Sequence, residues 1–275
     1  MPRKMLACAV LILALVSSCT LVVVRALDNG LALTPPMGWR SWNCYHGEVT
    51  SAKVKLVIDA MTSQHRFDSQ GQPTSLKDLG YIRVGVDDGW QACGAGPEKS
   101  FHRADGAPIL NTSSFPSLKN LVAYGHGKGM LMGWYHINCI CMDTYTLRAN
   151  ETWANLSWAA NVEQVLSTGF DGLKIDNCGD DAGAGFAAMV EHINASGTPL
   201  MIENSNQAHG QGPPRGLPNR TVSGDWCNFN MFRTGGDIGP DFENVMQKLQ
   251  TTRQVIAKFV FCLSLALALA KTRAR

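Results

Sequence analysis

Short β-rich runs alternating with helix-like stretches constrain this chain more than any other feature. The sequence predicts strands over residues 37–42, 81–86, 130–135, 172–175, 200–202 and 230–233. It predicts helices over 52–63, 117–126, 153–167, 182–194 and 242–256. The first of these sets Val54, Val57, Ile58 and Met61 on one face at helical spacing. Short, nearly continuous apolar strands separated by helices call for a parallel sheet covered on both faces. Two α/β architectures satisfy that pattern, an open doubly wound sheet and a (β/α) barrel. The first strand runs into Trp39-Arg40-Ser41-Trp42-Asn43-Cys44, with no G-x-G-x-x-G loop, and no G-x-x-x-x-G-K-[ST] occurs. Polar residues gather instead at the C-terminal ends of several strands, where barrel enzymes place their chemistry, so the barrel is favoured.

The acidic positions stand at those ends. Asp87 and Asp88 follow strand two, Asp176 follows strand four, and Asp237 comes just after strand six. Convergent carboxylates serve metal binding, proton abstraction or glycoside hydrolysis. Lys174 lies two residues before Asp176, so both side chains leave the strand on one face. A cation there keeps the acid ionised, which suits a nucleophile and opposes a metal site. Neither a metal nor a cofactor is expected. Trp39, Trp42, Trp90, Trp134 and Tyr135 supply flat apolar walls of the kind that sugar C–H faces stack on, and Asp87-Asp88 is an acceptor pair for two neighbouring hydroxyls. His136 and His209 have no spaced partner and receive no role.

The chain of 275 residues is 45% hydrophobic, enough for a full core, and its formal charge is +2. Residues 1–26 read as a secretory signal, with Arg3 and Lys4 before an apolar run and Val24-Arg25-Ala26 at the exit. Without Arg3, Lys4 and Arg25, the 24 basic side chains become 21 against 22 acidic, so no basic stripe for nucleic acid remains. Sequons at Asn111, Asn150, Asn155, Asn194 and Asn219 fit passage through the secretory route. Cys44, Cys93, Cys139, Cys141, Cys178, Cys227 and Cys262 fit an oxidising compartment, and their odd count leaves one unpaired or intermolecular. Residues 259–270 (FVFCLSLALALA) are apolar but shorter than the ~20 residues a membrane span needs.

Five segments in order resemble glycoside hydrolase family 27, the α-galactosidase and α-N-acetylgalactosaminidase family. They are LDNGLALTPPMGWRSWNCY (27–45), DLGYIRVGVDDGW (78–90), FPSLKNLVAYGHGKGMLMGWY (115–135), GFDGLKIDNCG (169–179) and FRTGGDI (232–238). The resemblance implies a (β/α)8 TIM-type barrel that removes terminal α-D-galactosyl groups with retention. It puts Asp176 at the nucleophile and Asp237 at the acid/base, with Arg233 supporting. It matches Asp87 and Asp88 to the pair that holds the galactose O4 and O6 hydroxyls, Trp42 and Tyr135 to pocket residues, and Lys174 to the lysine beside the nucleophile. It also implies a disulfide from Cys178 to Cys141 or Cys139. A retaining pair predicts carboxyl groups about 5–5.5 Å apart. No membrane partner is expected once the signal is removed, and a homodimer is left open. The destination is extracellular, lysosomal or vacuolar.

The chain departs from the family at three places. After strand three, His136 stands where the family carries a short acidic or polar turn. After strand five, Glu203-Asn204-Ser205-Asn206-Gln207 replaces the family's reader of the sugar C2 substituent, with Ser205 a candidate binding residue. Six βα units are expected, without the family's last two strands and its C-terminal β-sandwich. The expected organisation is a signal over 1–26, an incomplete barrel over 27–254 and an apolar-basic tail over 255–275. A barrel lacking two strands exposes two edges. The competing expectations are an α-N-acetylgalactosaminidase or related α-galactoside-type hydrolase, and an inactive, secreted sugar-binding fragment.

Overall fold

The computed structural model describes residues 29–137, 140–141, 150–176, 182–205 and 229–253. The expected signal, the tail, Asn219, His209 and Cys139, Cys178, Cys227 and Cys262 lie outside these residues. Six parallel strands form one sheet in chain order: β1 (Gly38–Arg40), β2 (Arg83–Gly85), β3 (Leu131–Ile137), β4 (Gly172–Asp176), β5 (Met201–Asn204) and β6 (Met231–Phe232). All six expected strands are present. Helices α1 (Ser51–Thr62), α2 (Leu118–Gly127), α3 (Glu151–Thr168) and α4 (Ala182–Ser196) alternate with them, and residues 242–253 form α5. A short antiparallel hairpin, Arg66–Phe67 with Pro73–Thr74, was not expected. No helix among the described residues is long and apolar enough to cross a membrane.

Local chemistry starts and stops the helices. Thr50, Ser117 and Asn150 accept the N–H groups of Lys53, Asn120 and Trp153, satisfying donors that a helix leaves open at its N-terminus. Gly169 ends α3 in the left-handed region at φ 90°, which a side chain would resist. On α1, Val54, Ile58 and Met61 are buried, as the spacing predicts. Gly125 lets α2 approach the sheet, because a Cβ there would come 2.2 Å from the Met132 sulfur.

The core lies between the sheet and its helices. Trp134 on β3 is its centre: it stacks on Phe170 at 4.9 Å, tilts against Trp90 at 5.0 Å and meets Phe115 edge-on at 5.8 Å. Such aromatic clusters bury large areas and hold fixed geometries.

The sheet is curled. Arg40 on β1 forms an ion pair with Glu203 on β5, four strand spacings away in the order of the sheet. A flat sheet would hold those strands ~19 Å apart, beyond the joint reach of the two side chains. Further ties join the two edges. Asn43 after β1 donates to the Ile238 carbonyl beyond β6 (2.9 Å). At the opposite end, the Asn230 amide donates to Asn29 (2.8 Å), and the Asn29 amide donates to the Leu200 carbonyl (3.0 Å). The result is a half-barrel of six parallel strands, consistent with part of a TIM-type barrel. Among the described residues, no strand pairs with the outer edge of β1 or β6.

Candidate active site

Parallel strands point their C-terminal ends the same way, so the acidic residues of alternate strands share one rim. The register pairs Tyr135 with Lys174 and Lys174 with Glu203, which sets three inward side chains in one row across β3, β4 and β5.

Lys174 is the hub of that row. Its ammonium donates to Asp87 Oδ2 at 2.8 Å and stands 3.7 Å from Asp176 Oδ2. It also lies 4.9 Å from the centre of the Tyr135 ring, a cation–π contact. The expected Lys174–Asp176 neighbourhood is present, but the shorter contact goes to Asp87. Lys174 and Asp87 are 8% and 2% exposed, so each charge depends on the other. Asp87 is further fixed by Ser41, whose hydroxyl accepts the Asp87 N–H at 2.8 Å, and by the Asp88 N–H, which donates to its Oδ1 at 3.0 Å.

Tyr135 donates its hydroxyl to Asp176 Oδ2 at 3.0 Å, while its backbone carbonyl accepts the Trp90 indole N–H at 2.9 Å. Burial, with Asp176, Asp88 and Asp87 nearby, raises the phenol far above its ordinary pKa, so it stays a donor. Burial also pushes the Asp88 carboxyl up. Hydrogen bonds from Gly89 and Gln91 oppose that, and the charges of Asp87 and Asp176 reinforce it.

The far wall comes from β6. Arg233 forms an ion pair with Asp237, donates its Nε–H to the Gly235 carbonyl (2.6 Å) and reaches the Ser205 hydroxyl at 3.5 Å. Ser205 is held by its own N–H, which donates to the Ile175 carbonyl at 2.9 Å. The Asp237 side chain is 58% exposed.

A cleft of about 470 Å³ opens between these walls, lined by Trp42, Asp87, Lys174, Ser205, Arg233 and Asp237. Trp42, in the helical turn Trp42–Tyr45, meets His46 edge-on at 5.1 Å. Asp88, Tyr135 and Asp176 are not in that lining, and Asp176 joins it through Lys174. Sequence reasoning passed over Arg40 and did not assign Glu203, both of which line the cleft. The available signal was an arginine on a strand otherwise built of Gly38 and Trp39, two residues before Trp42. Among the described residues, no group of three or more His, Cys, Asp or Glu side chains could hold a metal ion.

One expectation is overturned. Cys141 is bonded to Cys93, with 5.2 Å between their Cα atoms, so it is not the partner of Cys178. The loops after β2 and β3 leave neighbouring strands, and that adjacency brings the two sulfurs together. The other expected pairing, Cys139 with Cys178, lies outside the described residues. His136 also differs from its reading as a residue without partners. It is buried on β3, its Nε2 is 2.9 Å from the Asn161 amide nitrogen, and the Asn161 oxygen is 3.1 Å from His102 Nε2.

Fold and rim together define a (β/α)-barrel protein with a carboxylate-lined cleft at the C-terminal ends of its strands. The family model described as Alpha galactosidase A matches residues 34–261, and the chain belongs to that family, glycoside hydrolase family 27. It is 30% identical over 225 residues to alpha-galactosidase 2 of Arabidopsis thaliana, covering 80% of this chain and 49% of that protein. It is 27% identical over 229 residues to the alpha-N-acetylgalactosaminidase of Gallus gallus, covering 80% and 52%. Among solved structures, a putative alpha-galactosidase from Bacteroides fragilis aligns with TM-score 0.55 at 27% identity, covering 77% of this chain and 40% of that one. The Saccharomyces cerevisiae alpha-galactosidase, solved with raffinose, has the same fold, with TM-score 0.57 at 22% identity over 78% and 42%. The chain spans about half the length of the relatives it matches.

Proposed function

We propose that the protein is a retaining glycoside hydrolase that releases terminal α-D-galactosyl groups by double displacement. The observation that carries this reading is the convergence on one Asp176 oxygen, Oδ2, of the Tyr135 hydroxyl at 3.0 Å and the Lys174 ammonium at 3.7 Å. Two donors on one side orient the carboxylate, as a nucleophile requires. Asp176 attacks the anomeric carbon while protonated Asp237 gives its proton to the leaving oxygen. The glycosyl–Asp176 ester is then cleaved by water that Asp237, now a base, deprotonates. The carboxyl groups would stand about 5–5.5 Å apart. Arg233 holds Asp237 between steps, and Asp87 accepts sugar hydroxyls beside Trp42.

A second reading, hydrolysis of α-N-acetylgalactosaminides, is favoured by the likeness to the Gallus gallus enzyme. Passage through the secretory route is supported by exposed sequon asparagines at 155 and 194 and by the Cys93–Cys141 bond.

The test is hydrolysis of nitrophenyl α-galactoside and of its N-acetyl analogue by the full chain, with Asp176→Asn beside it. The proposal expects release of nitrophenol from the galactoside, and a fall in kcat of about 10³-fold or more in the variant. Faster turnover of the N-acetyl analogue would select the second reading. Galactose binding that is equal in both proteins, with no turnover in either, would identify an inactive sugar-binding fragment.

A further inference from the structure

Arg40 is a cation lining the cleft that this mechanism leaves unused. Its guanidinium makes three contacts. Nη1 donates to the Val86 carbonyl at 3.3 Å and stands 3.8 Å from Asp87 Oδ2, while Nη2 pairs with Glu203 Oε2. Three consequences follow from that placement. Asp87 Oδ2 is flanked by two cations, Lys174 on one side and Arg40 on the other. Glu203 has Arg40 as its one ion-pair partner among the described residues. The pair also spans the hollow from β1 to β5, where no further strand is described to hold the curl.

The pair has a definite position in depth. Arg40 and Glu203 line the cleft of about 470 Å³ and also a second, deeper cavity of about 180 Å³, so they form the partition between them. The deeper cavity is bordered by Gly85, Gly133 and Gly172, which fill little of it. Gly85 lies directly under the guanidinium, and a Cβ there would come 3.0 Å from its Cζ and Nη1. The strand therefore leaves a notch in which the planar fork rests. A lysine could not make the contacts to Val86, Asp87 and Glu203 together, because it offers a point charge and not a fork.

We infer that Arg40 is a positioning residue: by bridging Val86, Asp87 and Glu203 it forms the floor of the sugar cleft and keeps the Asp87 wall at its distance from Lys174. The inference rests on the hydrolase reading given above. Its physical effect is on sugar binding more than on the chemical step. Arg40 touches the carboxylate that accepts hydroxyls, and no contact joins it to Asp176 or Asp237.

The experiment measures KM and kcat for nitrophenyl α-galactoside, and the Kd for free galactose, in the full chain carrying Arg40→Met or Gly85→Ala. Arg40→Met should raise KM and the galactose Kd about tenfold while kcat stays within about threefold, because the sugar is misplaced but the reacting carboxyls are untouched. Gly85→Ala removes no charge and displaces the guanidinium from its notch, so it should shift KM in the same direction by a smaller factor. If Arg40→Met gives no soluble protein, Gly85→Ala decides. An active wild type whose KM changes less than about twofold in the soluble variants would overturn this inference alone, as would a loss confined to thermal stability. A wild type that neither hydrolyses the galactoside nor binds galactose would overturn the hydrolase reading and this inference with it.

Discussion

The strand tips of β2 to β4 and the rim beyond β6 carry the two halves of the proposed chemistry, and they are built differently. At β2 to β4, Asp87, Lys174, Tyr135 and Asp176 share a row of hydrogen bonds and ion pairs, with the Trp134 aromatic cluster at the centre of the sheet. Asp87 and Tyr135 are each 2% exposed. At the rim, β6 has two residues, Asp237 is largely exposed, and Phe242 and Leu249 on α5 are 79% and 52% exposed. A nucleophile and a sugar-hydroxyl acceptor need fixed geometry, which a packed centre provides. Among the described residues, an acid/base beyond an outer strand is held by Arg233, by local turns and by the Asn43 bond to the neighbouring Ile238 carbonyl, so its position depends on few contacts.

The strongest break in this contrast is Lys174→Met. It leaves Asp87 buried with Arg40 as its remaining cation at 3.8 Å, and losing one partner of a buried pair costs about 3 kcal/mol. Chemical denaturation should show that loss, and a change under about 1 kcal/mol would mean the centre is less dependent on its charges than its burial indicates. A smaller break uses pH. Burial, and then the neighbouring His102, pushes His136 well below the ordinary imidazole range, so the folded chain keeps it neutral. The unfolded chain takes up that proton below about pH 6.5, so stability falls as pH drops, by about 1.4 kcal/mol per unit. Denaturation midpoints at pH 7 and pH 5 should differ less in His136→Leu than in wild type. An equal difference would remove His136 from the acid response. The smallest expected effect is at the rim, where Phe242→Ser should change stability by less than about 0.5 kcal/mol. A thermal midpoint lowered by several degrees would show that Phe242 is packed in solution, and the contrast would shrink.

Much of this arrangement could be read along the chain because its cause is local. Alternating apolar runs and capped helices specify a parallel sheet, and the two-residue offset of Lys174 and Asp176 puts both on one face. The Cys93–Cys141 bond and the Arg40–Glu203 pair join residues 48 and 163 positions apart, and no local pattern announces either. Both depend on which strands are neighbours and how far the sheet curls. The same holds for Lys174, whose shorter contact crosses to Asp87, just beyond the end of the next-but-one strand.

The sequence by itself determined the strand–helix alternation and the family, because each rests on residues close together in the chain. Tertiary structure alone decided that Lys174 serves Asp87 first, that Cys141 meets Cys93, and that Arg40 closes the floor of the cleft. Those choices follow from strand adjacency and curvature, which bring charges into contact only after the whole sheet has formed.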